Sequence, residues 1–120
     1  MLNLDTHIVV ALLSATLTDN ERELVIAEPL AISDIVLWEL AKLVELGRVD
    51  LDLDAPQLQA FVRSITIFPI TLDIAQKSTV LDFQSDPADE IIAATSIIER
   101  IPLLTRDRRI LKSKIVPFAL

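Results

Sequence analysis

The chain has no cysteine, no tyrosine and a single glycine, Gly47, among its 120 residues. Without cysteine there are no disulfides, no thiolate metal sites and no cysteine nucleophile, and the composition fits a reducing, cytosolic compartment. One glycine excludes both the P-loop and the dinucleotide-binding fingerprint, since each needs several residues without a Cβ in close succession. Histidine is almost missing too, so a Ser-His-Asp triad would depend on His7 alone. The longest apolar runs fall well short of the roughly 20 residues needed to cross a bilayer, and no membrane partner is expected. The opening residues carry Asp5 and no basic stretch, so no secretory leader is expected. No repeat, linker or low-complexity tract divides the chain. A single domain over residues 1–120, with its own core, is the expectation.

What the chain does have is apolar residues, 52% of the total, and acid, for a net charge of −7. That balance suits a nucleic-acid partner poorly until its distribution is read. Residues 1–99 hold 17 acids against 5 bases, a balance of −12. Residues 100–114 hold 6 bases, Arg100, Arg106, Arg108, Arg109, Lys112 and Lys114, against one acid, Asp107, a balance of +5. Either this is a solvated surface or it is a phosphate-facing rim around an acidic pocket, with Arg106 and Arg108 as candidate substrate contacts.

The segment 85–109 organises the rest. Asp86 suits a helix N-cap, Pro87 the first helical position and Asp89 the first turn. Ile91, Ile92, Ala94, Thr95 and Ile98 give a wide apolar face at helical spacing. After Pro102, Leu103-Leu104 is short enough for a buried strand, and Thr105-Arg106-Asp107 follows at its carboxyl end. That is where ligand chemistry sits in open parallel sheets.

The remaining pattern predicts a strand over Met1–Asp5, helices over His7–Leu13 and Asp19–Ala27, and a strand at Leu30-Ala31-Ile32. In the second of these helices, Glu21, Arg22 and Glu23 are expected outside. Ser33 or Asp34 then caps a helix to about Leu46, closed by Gly47. Pro56 begins a short helix to Arg63, Ile65–Phe68 is a strand, and a helix runs from Thr71 or Asp73 through about Leu81. The helix at 87–99 and the strand at 103–104 follow, then a helical turn at Asp107–Leu111 and an edge strand at Lys114–Val116. Strands alternating with helices predict an α/β fold, a short parallel sheet of four or five strands with helices on both faces. The alternation Asp50, Asp52, Asp54 lacks the glycine and terminal glutamate of an EF-hand and reads as a solvated acidic turn.

Four carboxylates stand out by position. Asp5 ends the first strand, and Asp89 opens a helix. Asp107 follows a late strand. Glu39 interrupts an apolar helical stripe, between Val36 and Leu43 on one side and Ile35 and Leu46 on the other. A charge there must be paired, protonated or bound to something positive. Carboxylates gathered within a few ångströms repel unless a cation neutralises them. Oxygen-only ligands suit hard cations, Mg²⁺ or Mn²⁺. Such ions activate water and stabilise charge on a phosphodiester being cleaved, so the residues point to metal-dependent phosphodiester hydrolysis. Two other readings come from different classes. One is a catalytically weak module acting mainly by protein or RNA binding. The other is a phosphatase with an aspartyl nucleophile, for which Asn3 stands where the first Asp of the usual Asp-x-Asp pattern belongs.

At these residues the chain resembles the PIN-domain family, and within it the VapC-type toxins of toxin–antitoxin pairs. Leu4-Asp5-Thr6-His7-Ile8 is similar to the family's opening strand and first acid. Ile32-Ser33 through Trp38-Glu39-Leu40 is similar to the helix carrying its second acid. Asp86-Pro87-Ala88-Asp89 with Ile92-Ala93-Ala94 is similar to the third motif, and Leu104 through Ile110 to the fourth. The resemblance implies an α/β/α sandwich and a Mg²⁺- or Mn²⁺-dependent endoribonuclease. Asp5, Glu39, Asp89 and Asp107 would be its catalytic and metal-binding quartet, supported by Ser33 and Thr105. It also implies an RNA substrate, a homodimer and a cognate antitoxin that blocks the site. Glu90 departs from the pattern, where relatives usually carry Arg.

Overall fold

A computed structural model describes residues 1–120. The chain runs β1 (Leu2–Leu4), α1 (Thr6–Leu13), α2 (Asp19–Ala27), β2 (Leu30–Ser33), α3 (Ile35–Glu45), α4 (Pro56–Ser64), β3 (Thr66–Phe68), α5 (Leu72–Ser78), α6 (Pro87–Glu99), β4 (Leu103–Leu104) and α7 (Arg108–Leu111). All strand pairs are parallel, in the order β3-β2-β1-β4. Asn3 registers with Ala31 on one side and Leu103 on the other. The first three strands step one way across the sheet, and β4 returns to the far side of β1. The strand order therefore reverses between β1 and β4, and the crevice at their carboxyl ends is the place where such sheets bind ligands.

Both faces of β1 are buried, as a parallel sheet covered on two sides requires. Leu2 and Leu4 join Ile8, Val9, Val36 and Leu40 in the core. Asn3 points the other way, and its Nδ2 donates to the Ile92 carbonyl (3.2 Å) and to Ser96 Oγ (2.9 Å). That pair of bonds pins α6 to the central strand. The close approach is possible because Ala88, Ala93, Ala94 and Ser96 on α6 are small and buried. Asn3 is thus a structural tie, which removes the phosphatase reading of the first strand.

Three sequence expectations need correction. The edge strand at Lys114–Val116 does not form. Asp82 takes the Ser113 hydroxyl (2.6 Å) and the Lys114 N–H (2.7 Å), and Ser113 Oγ accepts from the N–H groups of Ile115 and Val116. Side-chain acceptors have taken the donors that a ladder would use. The sheet edge is made later, where the Leu103 N–H donates to the Pro117 carbonyl and the Ala119 N–H to the Leu103 carbonyl. Secondly, α5 stops at Ser78, short of Leu81. Ser78 and Thr79 turn their hydroxyls back onto the carbonyls of Ala75 and Gln76 there. Thirdly, Glu21 is buried, not outside. At the start of α3 the two candidate caps divide the work: Ser33 Oγ accepts from the Ile35 N–H (3.3 Å), whereas Asp34 Oδ2 accepts from the Ile70 N–H (3.3 Å).

Candidate metal centre and active site

Each of the four acids is delivered by a different element to the carboxyl end of the sheet. Asp5 follows β1 and caps α1, its Oδ1 accepting from the Thr6 N–H (2.8 Å). Asp107 follows β4 and caps α7, its Oδ1 accepting from the N–H groups of Arg109 (2.8 Å) and Ile110 (3.2 Å). Since β1 and β4 are neighbours, these two acids flank the reversal point. Thr105 joins them: its hydroxyl donates to Asp5 Oδ2 (2.6 Å) and accepts from the Asp107 N–H (3.0 Å). Asp89 stands in the first turn of α6 and Glu39 in the middle of α3.

The acids sense one another. Burial, above all, raises the Asp5 carboxyl above its ordinary value, and the charge of Asp107 adds to this. Glu39 is raised by burial and by Asp5 and Asp86. Asp89 is pushed up to about 6, by burial first and then by the charges of Asp5, Glu39 and Asp107, against the lowering effect of the Ser85 hydroxyl. The quartet read from the sequence is therefore brought within electrostatic reach at one edge. Glu39 is not neutralised by Lys42, which pairs with Glu45 at 2.9 Å. Instead it accepts from the Thr6 hydroxyl.

Ser33 lies fully buried at the end of β2, where it orders the start of α3. The structure adds two hydroxyls that the sequence reading did not assign to the site. Thr6 holds Glu39, and Ser85 Oγ donates to Asp89 Oδ2 at 2.7 Å. Ser85 lies four residues before Asp89, a spacing that could have suggested the contact. The Thr6–Glu39 pair spans 33 residues and left no local trace. Arg108 is exposed on α7. Arg106 is engaged elsewhere: its Nε and Nη2 donate to Glu21 at 2.8 and 2.6 Å. Glu90, the departure from the family pattern, accepts from the Ser85 N–H at 3.4 Å.

A model of the PIN domain family matches residues 3–115. The chain belongs to the PIN-domain family. Ribonuclease VapC22 of Mycobacterium tuberculosis is 37% identical over 90 residues, which span 70% of this chain and 67% of that protein. A toxin–antitoxin complex from Klebsiella pneumoniae superposes with a TM-score of 0.69 at 25% identity, over 89% of this chain and 87% of that one. VapBC2 of Rickettsia felis, bound to a promoter DNA fragment, gives 0.73 at 20% identity over 98% and 97% of the two chains. That last likeness shows the PIN fold alone.

In this PIN domain the donor chemistry of the quartet fits a hard divalent cation: all oxygens, mutually close, and with three carboxyls raised first by burial and then by neighbouring acids. The cage is not closed, however. No group of three His, Asp or Glu is arranged so that it could hold a metal ion, and hydroxyls occupy an oxygen of Asp5, Glu39 and Asp89. Mg²⁺ tolerates this, because it keeps several waters and takes only one or two carboxylates together with substrate phosphates.

Proposed function

We propose that this PIN domain is a metal-dependent endoribonuclease, the toxin of a type II toxin–antitoxin pair. The observation that carries the reading is the convergence of Asp5, Glu39, Asp89 and Asp107 at the reversal point of the sheet, where burial first and the other three acids second hold Asp89 up at about 6. The identity to a ribonuclease of the family supports the same chemistry. Asp5, Asp89 and Asp107 would hold Mg²⁺ or Mn²⁺, with Glu39 as a further ligand or as the group that orients the attacking water. The bound cation would supply charge stabilisation on the scissile phosphodiester and a more acidic water. Thr105, Thr6 and Ser85 keep the carboxylates oriented. Arg108, free on α7 beside Asp107, is the arginine placed to meet substrate phosphate.

Apolar side chains stand out on the surface, with Ile26 77%, Trp38 56% and Leu46 59% exposed. They supply surface for the homodimer and the antitoxin that this function entails. No helix is long and apolar enough to cross a membrane. A cytosolic site of action, beside its RNA, belongs to the same reading.

The test is RNA cleavage with Mg²⁺ or Mn²⁺, abolished by chelation. Loss of outer-shell partners of a metal costs about 10–100-fold, so loss of a ligand in Asp89→Asn should lower kcat by about 100-fold or more. A folded Asp89→Asn chain that cleaves as fast as the parent would refute the assignment. The unclosed cage favours a second reading, a catalytically weak module acting by protein or RNA binding. Growth arrest on expression that persists in Asp89→Asn would select it.

A further inference from the structure

Between α1 and the loop after β4 lies an open cleft of about 400 Å³, lined by His7, Val10, Ala11, Thr16, Arg106 and Asp107. It shares Asp107 with the acidic site, and His7 stands on α1 two residues after Asp5. The cleft therefore opens onto the quartet from the α1 side. Its size falls in the range of clefts that take small organic ligands, about 300–1,000 Å³, and a lone phosphate would leave most of it empty. Val10 and Ala11 make part of it apolar, and His7 adds an exposed imidazole ring.

Arg106 decides what chemistry the cleft suits. Its Nε donates to Glu21 Oε2 at 2.8 Å, and its Nη2 to Glu21 Oε1 at 2.6 Å and to the Thr16 carbonyl at 3.2 Å. Glu21 is itself fixed by the N-terminus of α2, where it and Thr18 form a capping box. The N–H groups spent in these bonds lie in the guanidinium plane, and the carboxylate offsets its charge. The side chain nonetheless stays 43% exposed. What Arg106 still offers the cleft is a flat face and the unspent Nη1 edge. Paired this way it is a poor phosphate clamp and a good stacking surface.

We propose that this cleft takes the base of a ribonucleotide flanking the phosphodiester at the acidic site, with the Arg106 guanidinium and the His7 imidazole as its stacking surfaces. The proposal rests on the ribonuclease reading of that site and adds a base-binding subsite to it. Glu21 is a positioning residue, acting only through Arg106.

The test titrates the intact wild-type chain with adenosine, guanosine, cytidine and uridine 5′-monophosphates and with ribose 5-phosphate, followed by NMR at the His7 ring and the Arg106 Nε–H. At least one nucleotide should shift both signals saturably, while ribose 5-phosphate, which lacks only the base, moves neither at equal concentration. Arg106→Lys keeps the charge and loses the plane, and should weaken that nucleotide by about 5- to 100-fold. Should Arg106→Lys fail to fold, His7→Ala is expected to weaken it similarly. Equal shifts from ribose 5-phosphate, undiminished binding by these variants, or no shift from any nucleotide would each overturn the proposal. RNA cleavage in the same preparation, lost in Asp89→Asn, would leave the ribonuclease reading standing after any of those failures. Nucleotide binding without cleavage would instead sink the ribonuclease reading and leave a base-binding cleft.

Discussion

Asp5 and Glu21 are buried almost equally, 1% and 4% exposed, yet their surroundings push them in opposite directions. Asp5 sits at the crevice beside Asp107, and its carboxyl is raised by burial first and by that charge last. Glu21 sits across α1 with the guanidinium of Arg106 against it, and that bond holds its carboxyl down to about 2. Burial pushes both acids up; at Glu21 the hydrogen bonds and charge of Arg106 outweigh it, and at Asp5 the hydrogen bonds of Thr105 and Thr6 do not. The Glu21 region is electrostatically complete and belongs to the architecture. The acids of the Asp5 region take part in no ion pair, which is the condition of a site that binds a cation.

Removing the partner should break the complete region most visibly. Arg106→Ala leaves the Glu21 carboxylate buried and unmatched, which costs about 1–3 kcal/mol, kept at that level because Arg106 is itself partly in water. Urea unfolding at neutral pH measures it. Glu21→Gln combined with Arg106→Ala should recover part of the loss, since no stranded charge remains. If both variants unfold at the parent's urea concentration, the ion pair is not holding α2 to the β4–α7 loop.

The incomplete region should respond in the opposite way. With Asp89 raised from 3.8 to about 6, the folded state binds more protons than the unfolded one between those values, so its contribution to stability falls as pH rises through that window. Glu21, lowered from 4.5 to about 2, contributes stability that is full above about 4.5 and is lost as pH falls toward 2. In the absence of divalent cations, Asp89→Asn at pH 7.5 should be neutral or stabilising by up to about 1 kcal/mol, the shift being discounted for partial exposure. Mn²⁺ should then raise the parent's Tm more at pH 7.5 than at pH 5, and raise that of Asp89→Asn less. A Tm gain independent of pH would mean that the cation binds without displacing a proton from this cluster.

The two regions were not equally legible. The acids of the crevice declared themselves by local context: Asp5 at a strand end, Asp89 after Asp86-Pro87, Asp107 after Leu-Leu-Thr, and Glu39 inside an apolar stripe. The alternation of strands and helices carried the parallel sheet, because those periods are written in adjacent residues. Glu21 was hidden among Arg22 and Glu23, and its partner lies 85 residues away. Only the Thr18-x-x-Glu21 spacing hinted that this side chain has a task at the start of α2. The misplaced last strand has the same origin. The Lys114 N–H goes to Asp82, 32 residues distant, and those of Ile115 and Val116 to the Ser113 hydroxyl that Asp82 holds, and β-propensity at Ile115-Val116 carries no record of these competitors.

The smallest effect sharpens the contrast by testing backbone instead of charge. A chain with one glycine must make its left-handed turns with other residues, and Ala15 does so at φ 56°. Ala15 ends the α1 side of the turn whose next residue, Thr16, offers its carbonyl to Arg106. The left-handed conformation costs an alanine about 1–2 kcal/mol, against about 0.5–1 kcal/mol of extra chain entropy for glycine. Ala15→Gly should therefore stabilise the protein by about 0.5 kcal/mol in urea unfolding. Because it touches neither Glu21 nor the crevice, it should move the whole stability–pH curve up without changing its slope on the acid or the alkaline side. A changed slope below pH 4.5 would show that the turn sets the Glu21–Arg106 geometry, and that the architectural region is tuned by strain as well as by charge.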